Sequence, residues 1–171
     1  MSKVYLHPTR EKSLLRKHPW VFSKAVERTE GRCRRGDTVD VYSADNQWLG
    51  RGAFSPDSQI RVRIWTFDEK QSIDNAFFTQ RIQTAMTARQ HVINQANTNA
   101  YRVIAAESDG LPGVTIDKYD DVLVLQLLSA GAEKHRDKIL WSLNKCFPEH
   151  RIYDRSDVDV RKKEGLEPIK G

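Results

Sequence analysis

Hydrophobic and polar residues alternate in the first third of the chain, and this alternation predicts β-strands. The pattern is clearest over residues 38–42 and 59–65, where every second residue is apolar. In the second stretch the aliphatic residues share one face, so the opposite and exposed face is expected to carry Arg61, Arg63 and Trp65. Guanidinium groups beside an indole suit phosphate contact and base stacking; pairing of the same arginines with nearby acids is the alternative.

The rest of residues 1–67 predicts a small β-rich unit with one short basic helix. Strands are expected at residues 4–6 and 20–22, and residues 45–46 should close a hairpin. A helix over residues 10–17 should end before Pro19, because the residue preceding a proline avoids the α region.

Helices and strands alternate in the second part of the chain. Ser72 is a candidate cap for a long helix that runs to about Asn94, and residues 97–99 interrupt the pattern. After two strands, residues 122–128 predict a buried strand, and Ser129 is expected to cap a second helix. The apolar sides of the two helices consist of Phe78, Ile82, Ala85, Met86 and Ile93, and of Ala132, Ile139, Leu140, Leu143 and Phe147.

The sequence near the carboxyl end predicts an inner strand, but no further element follows that could cover it. Residues 152–160 have the composition of such a strand, and the charged residues 161–164 follow it. We therefore expect the sequence to be cut within a longer polypeptide; a short natural protein with a frayed tail is the alternative.

An acidic turn lies between the two strands within residues 101–117. Gly110 and the pair Pro112-Gly113 interrupt the two strands, Gly113 is expected to adopt a positive φ angle, and the turn presents Glu107 and Asp109. These carboxylates could act as general acid and base, but capping of neighbouring backbone amides is the favoured role, because no nucleophile lies nearby.

Composition indicates a globular domain protein and places the positive charge at one end. Of the 171 residues, 39% are hydrophobic and 30% are charged, no apolar run nears the roughly 20 residues of a membrane span, and no secretory signal is evident. With only two cysteines, a reducing cytoplasm is expected. Residues 1–65 contain 13 Lys or Arg against 7 Asp or Glu, a net of +6, whereas the remainder is −1. Such a localised excess favours a polyanion partner, with a well-solvated basic surface as the alternative.

The sequence gives little support for cysteine catalysis, metal binding or nucleotide binding. Cys33 lies between two arginines that are expected to lower its pKa, and Cys146 is expected to pack, so neither is a credible catalyst. The five histidines show no spacing typical of a metal site. Residues 127–133 pass from a strand to a helix with a single glycine, which a capped connection explains better than a nucleotide-binding loop.

Several blocks of sequence resemble the ribosomal RNA large subunit methyltransferase I family. These blocks are residues 10–23, 52–56, 60–67 and 107–113, and residues 125–131 and 153–158 continue the match in order. The resemblance implies an S-adenosylmethionine-dependent enzyme that methylates carbon 5 of a cytosine in 23S rRNA.

The same resemblance implies a mixed α+β fold in two domains. Residues 1–70 would form a PUA domain, an RNA-binding β pseudo-barrel, and residues 71–171 a central α/β domain with a mixed sheet and two helices that shapes the substrate cleft. The Rossmann-like domain, which in the family supplies the S-adenosylmethionine pocket and the catalytic cysteine, would be absent from this chain. No catalytic, cofactor-binding or metal-binding residue is therefore assigned.

We predict that the chain binds 23S rRNA through its amino-terminal cations without methylating it. A free-standing PUA-type binding module is one alternative, and a complete enzyme that uses Glu107 and Asp109 is another. The predicted RNA-binding residues are Arg10, Lys12, Arg16, Lys17, Arg32, Arg34, Arg35, Arg61 and Arg63.

Overall fold

The computed structural model describes the backbone of residues 1–96 and 100–171 and the side chains of residues 1–90 and 100–171. The predicted break at residues 97–99 and the side chain of Ile93 lie outside this part. Six strands form the first sheet: β1 (Ser2–Leu6), β2 (Trp20–Phe22), β3 (Val26–Glu30), β4 (Thr38–Tyr42), β5 (Trp48–Phe54) and β6 (Ile60–Thr66). The helix α1 (Lys12–Leu15) lies between β1 and β2.

The first sheet curls round an apolar interior. Its strand order is β2-β6-β5-β4-β1-β3, so the edge strands β2 and β3 are consecutive in sequence. One 3₁₀ turn, Ser23–Ala25, joins them, and three residues span only about 10 Å, so the two edges must approach each other. The interior contains Val4, Leu6, Leu14, Val21, Val39, Val41, Leu49, Phe54, Val62 and Ile64.

The second sheet is mixed, and three helices pack against it through one apolar cluster. Its strands are β7 (Ala100–Ala105), β8 (Val114–Tyr119), β9 (Val122–Leu127), β10 (Arg151–Ser156) and β11 (Ile169–Lys170), in the order β11-β10-β9-β8-β7. Strands β9 and β10 are parallel and the other neighbours are antiparallel. The helices are α2 (Asn75–Ala96), α3 (Ala130–Lys134), α4 (Arg136–Cys146) and α5 (Val160–Lys163). The predicted mixed α+β class is confirmed.

The two sheets share a core at the point where Trp65 was expected to be exposed. That expectation was wrong: Trp65 is 3% exposed and meets the rings of Phe77 and Phe78 edge to face, at centroid distances of 6.1 and 5.4 Å. The second part of the chain covers this face of β6, so both faces of the strand are buried there. At Gly131 a Cβ atom would lie 2.2 Å from the Cβ of Ala53, so only glycine lets α3 approach β5 this closely.

The helix caps follow the sequence in one case and depart from it in the other. Ser129 caps α3 as predicted, because its hydroxyl oxygen accepts from the N–H of Ala132 at 3.2 Å. The long helix α2 begins later than predicted, and Asp74 rather than Ser72 accepts from a first-turn N–H group, that of Phe77, at 2.9 Å. None of the described helices is long and apolar enough to cross a membrane.

The carboxyl-terminal residues differ most from the prediction. The expected strand over residues 152–160 ends at Ser156, and α5 and the short strand β11 follow it. Strand β11 pairs with β10, so the edge of β10 is covered. Arg161 and Glu164, which belong to the run of charged residues after the predicted strand, are only 2% and 1% exposed.

Candidate nucleic-acid interface

A cleft of about 740 Å³ lies between the two sheets. Strand β2 contributes Trp20 and Phe22 to its wall, and β6 contributes Arg63. Because side chains two residues apart on a strand share a face, both β2 rings can face the same side; their centroids are 6.1 Å apart. The second part of the chain closes the cleft with Ala106, Glu107, Gly113, Leu128, Val160, Lys163 and Glu164.

Arg63 is held between an aromatic ring and two carboxylates. Its Nη1 donates to Oε1 of Glu107 at 3.2 Å, and its Nε lies 3.8 Å from Oε1 of Glu164. The guanidinium also lies over the ring of Trp20, 5.4 Å from the centroid. Its side chain is 13% exposed, so Arg63 faces the cleft as a fixed and largely compensated charge rather than a free cation.

Glu164 anchors the floor of the cleft and was not predicted from the sequence. Its Oε1 accepts from the hydroxyl of Ser55 at 2.9 Å and from the N–H of Ala130 at 3.1 Å. Its Oε2 is buried without a hydrogen-bond partner among the described residues. One carboxylate therefore joins the first sheet, the start of α3 and the cleft.

The hydrogen bond from the N–H of Ala130 to Glu164 also concerns the strand-to-helix connection over residues 127–133. A nucleotide cofactor at the start of α3 would need free backbone N–H donors there. The N–H of Ala130 donates to Glu164, and the N–H of Ala132 donates to Ser129. These two donors are used internally, which agrees with a capped strand-to-helix connection.

A second, basic recess adjoins the cleft and shares two of its residues. Its lining includes Arg10, Lys12 and Lys24 as well as Trp20 and Phe22. The three cations are exposed, and none of them pairs with a carboxylate in the described part of the chain. Phe22 is 49% exposed, so an aromatic ring stands on the ridge between a cationic surface and a cleft lined by three carboxylates, those of Asp57, Glu107 and Glu164.

The nine predicted RNA-binding residues do not form one continuous patch. Arg10 and Lys12 line the basic recess, and Arg63 lines the cleft. Arg35 donates from Nη2 to Oδ2 of Asp57 at 2.6 Å, and Asp57 is itself on the cleft wall. The structure places the remaining predicted residues outside the linings of both cavities: Arg16, Lys17, Arg32, Arg34 and Arg61.

These remaining five residues keep most of their charge uncompensated. Within residues 1–90 and 100–171, none of them is paired with a carboxylate. Lys17 lies over the ring of Phe67, and Arg61 donates from Nε to the carbonyl oxygen of Ser58 at 3.4 Å. Three lining residues were not predicted from the sequence: Phe22, Lys24 and Lys163. The two-residue spacing of Trp20 and Phe22 was the signal from which the aromatic wall could have been predicted.

The acidic turn stabilises the backbone, as favoured from the sequence. Asp109 accepts from the N–H of Ala105 at 2.6 Å and is bound through both oxygens by Arg89, at 3.1 and 2.7 Å. Gly113 has a φ angle of +79°, as predicted, and Gly110 also has a positive φ, of +71°. Glu107 differs from Asp109 because it faces the cleft and uses only Oε1 for a hydrogen bond within the described residues.

The cysteine chemistry considered from the sequence is not supported. The pKa of Cys33 is raised rather than lowered, mainly because partial burial disfavours the thiolate, and Asp37 adds to the effect. Burial likewise raises the pKa of Cys146. No group of three or more His, Cys, Asp or Glu residues in the described part of the chain is arranged to hold a metal ion.

Comparison with known proteins gives one match to the first part of the chain and others to nearly its whole length. Residues 4–67 match the family of PUA-like domains. Ribosomal RNA large subunit methyltransferase I from Pseudoalteromonas atlantica is 64% identical over 168 residues, which is 98% of this chain and 42% of the relative. The chain is a homologue of one part of this methyltransferase family. The predicted resemblance is confirmed.

A second relative shows the same partial coverage. Ribosomal RNA large subunit methyltransferase I from Alteromonas mediterranea is 61% identical over 170 residues, covering 99% of this chain and 43% of the relative. The chain thus spans about two fifths of the length of the curated relatives it matches.

Solved structures support the fold. A putative SAM-dependent methyltransferase from Streptococcus mutans superposes with a TM-score of 0.78 at 22% identity, over 91% of this chain and 40% of that one. A crystal structure of a putative methyltransferase complexed with SAH gives a TM-score of 0.79 over the same shares, also at 22% identity. The arrangement of the two sheets therefore recurs within larger methyltransferases.

Proposed function

We propose that the chain is the RNA-recognising portion of a cytoplasmic, S-adenosylmethionine-dependent 23S rRNA cytosine-C5 methyltransferase. The observation that carries this proposal is the basic recess, where exposed cations and the ring of Phe22 border one surface. Phosphate contacts from lysine and arginine supply most of the sequence-independent affinity for nucleic acid, and exposed aromatic rings stack on unpaired bases.

The two parts of the chain have different roles in this proposal. Residues 1–70 form the PUA-type RNA-binding domain, and residues 71–171 form the second wall of the cleft. S-adenosylmethionine and the catalytic cysteine belong to a part of the methyltransferase that this chain does not include. The match of residues 4–67 to PUA-like domains supports this division of labour.

Charge removal in the basic recess tests the proposal. A triple variant (Arg10→Ala, Lys12→Ala, Lys24→Ala) should bind a structured 23S rRNA fragment more weakly, because each lost phosphate contact removes counterion release. We expect the slope of log affinity against log salt to fall by about two to three units. Fluorescence anisotropy over a series of salt concentrations measures this slope.

A matched triple variant controls for the change in net charge. Lys138→Ala, Lys145→Ala and Arg151→Ala remove three cations from α4 and the start of β10, outside the recess lining. This variant should keep the wild-type slope. Equal losses in the two triple variants would show non-specific attraction to the whole chain, and binding that is independent of salt would overturn the proposal.

Titration with S-adenosylmethionine separates the proposal from a complete enzyme based on Glu107 and Asp109. Isothermal calorimetry should detect no saturable binding to this chain. Saturable binding would instead assign the cofactor site to residues 1–171. A stop codon directly after the codon for Gly171 would favour the free-standing binding module.

A further inference from the structure

The cleft holds an unusual set of polar groups for a purely structural junction. Three buried polar atoms in its walls have no hydrogen-bond partner among the described residues: Trp20 Nε1, Arg63 Nε and Glu164 Oε2. Unpartnered polar atoms of this kind are costly in a folded protein, so each calls for an explanation. These atoms lie just beneath the surface of the cleft, so a ligand with donors and acceptors would pair with them after a small movement of the side chains.

The shape and the walls of the cleft indicate what kind of ligand fits. Its volume of about 740 Å³ is within the range of pockets that enclose small organic ligands. Trp20 and Phe22 provide aromatic surface, and Ile60, Leu128 and Val160 add apolar surface. A flat heteroaromatic ring with polar edges matches this combination of rings and hydrogen-bonding groups.

The cleft lies next to the basic recess, so a nucleic-acid strand bound in the recess could place a heteroaromatic base in the cleft. Trp20 and Phe22 belong to the walls of both cavities. An RNA strand whose phosphates contact Arg10 and Lys12 would therefore pass over the ring of Phe22. One of its bases, once unstacked, could turn into the cleft. Lys163 on the far wall offers a further cation for the next phosphate.

Glu107 gives the cleft a preference among bases. It is 29% exposed, and its Oε1 accepts from Arg63, which leaves Oε2 without a partner among the described residues. A carboxylate accepts from an exocyclic amino group but repels a carbonyl oxygen. Cytosine carries an amino group at the edge position where uracil carries a carbonyl, so a site with Glu107 and Glu164 should discriminate between them.

We propose that the cleft between the two sheets is a nucleotide-recognition pocket that receives one unstacked RNA base bearing an amino group. Trp20 stacks on this base, and Phe22, whose ring is nearly perpendicular to that of Trp20, stacks on the neighbouring base of the RNA strand. The Oε2 atom of Glu107 accepts from the amino group of the inserted base, and Arg63 donates to its ring acceptors. The proposal rests on the proposed function, because the basic recess must hold the strand. It concerns recognition and assigns no methyl transfer to the cleft.

Binding of r(C)8 and r(U)8 to this chain tests the proposal, since the two oligonucleotides share backbone and ring size. We expect r(C)8 to bind roughly fivefold or more tightly than r(U)8. Glu107→Gln should reduce that ratio to within about twofold. Glu149→Gln, the same chemical change at an exposed residue on the loop after α4, should leave the ratio unchanged.

Tryptophan fluorescence locates the bound base. Stacking on Trp20 should quench emission on titration with r(C)8, and Trp20→Phe should remove that quench while preserving measurable binding. Phe22→Ala should weaken both oligonucleotides by about tenfold, since it removes a stacking surface without changing the carboxylates.

The outcomes separate the two proposals. Salt-dependent binding with equal affinities for r(C)8 and r(U)8, or without quenching of Trp20, would overturn the recognition pocket and leave the proposed function intact. Absence of any RNA binding would overturn both. A preference for r(C)8 that survives Glu107→Gln would also refute the role given to that carboxylate.

Discussion

Cationic side chains around the basic recess are exposed, whereas Arg161 near the carboxyl end of the chain is enclosed by oxygen atoms. Arg10 is exposed and pairs with no carboxylate in the described part of the chain. Arg161 is 2% exposed and donates to the carbonyl oxygens of Leu127 and Glu167 and to Oε2 of Glu133. The same residue type is thus free of internal partners in one region and bound by several in the other, and burial accompanies the difference.

The enclosed region uses its charges as a network. Glu133 accepts from Arg136 at 2.8 Å as well as from Arg161 at 3.0 Å, and Arg136 also pairs with Asp154. Burial alone would raise the pKa of Glu133, but the hydrogen bonds from both arginines hold it below its ordinary value. A charge at the basic recess has no such partners, so it is available to a phosphate.

Removal of Arg161 should have the largest effect on stability. Arg161→Ala would remove a buried guanidinium and leave the carbonyl oxygens of Leu127 and Glu167 without this donor, while Glu133 Oε2 would retain only its bond from Arg136. We expect a loss of about 3–5 kcal/mol in the free energy of unfolding, measured by urea denaturation. Lys162→Ala, at a side chain that is 78% exposed, should change stability by less than about 0.5 kcal/mol; similar losses in both variants would contradict the network.

Acid should destabilise the protein through His135, a buried group without a carboxylate partner among the described residues. Burial, with smaller contributions from Lys138 and Lys134, lowers its pKa from 6.5 to about 4. The unfolded chain therefore takes up this proton first, so the contribution is complete above about pH 6.5 and is lost as the pH falls towards 4. The expected loss is ~3 kcal/mol.

Urea denaturation between pH 7 and pH 4 measures this dependence. His135→Leu should flatten the stability curve in that window, whereas His7→Leu, at an exposed histidine, should leave its slope unchanged. An unaltered slope in His135→Leu would place the acid sensitivity in other groups.

The smallest expected effect is that of Arg10→Ala on stability. Because this side chain is exposed and unpaired within the described residues, the free energy of unfolding should change by less than about 0.5 kcal/mol. RNA affinity should nevertheless fall measurably in the same variant at low salt. A stability loss comparable to that of Arg161→Ala would remove the contrast between the two regions.

Local patterns in the sequence predicted most of the fold. The alternation in β4 and β6, the turns at Gly110 and Gly113 and the Ser129 cap depend on neighbouring residues, and the structure has them all. The burial of Trp65 was not predictable in this way, because it depends on an element that comes later in the chain and covers β6.

The candidate site was predicted only in part, for a similar reason. Arg10 and Lys12 were identified from the density of positive charge near the amino end. Glu164 was missed, because its contact with Ser55 joins residues that are 109 positions apart. Arg63 was expected to be exposed, yet the partners that hold it, Glu107 and Glu164, come from the second part of the chain.

The packing of Trp65 has a practical consequence for any attempt to isolate the amino-terminal unit. A polypeptide that stops at residue 70 would lack Phe77, Phe78 and α3, and would expose a large indole and the adjoining surface at Ala53 to water. Such a fragment should self-associate or bind hydrophobic dyes. Transplanting the amino-terminal unit into another protein would therefore require either a new cover for this tryptophan or its replacement by a polar residue.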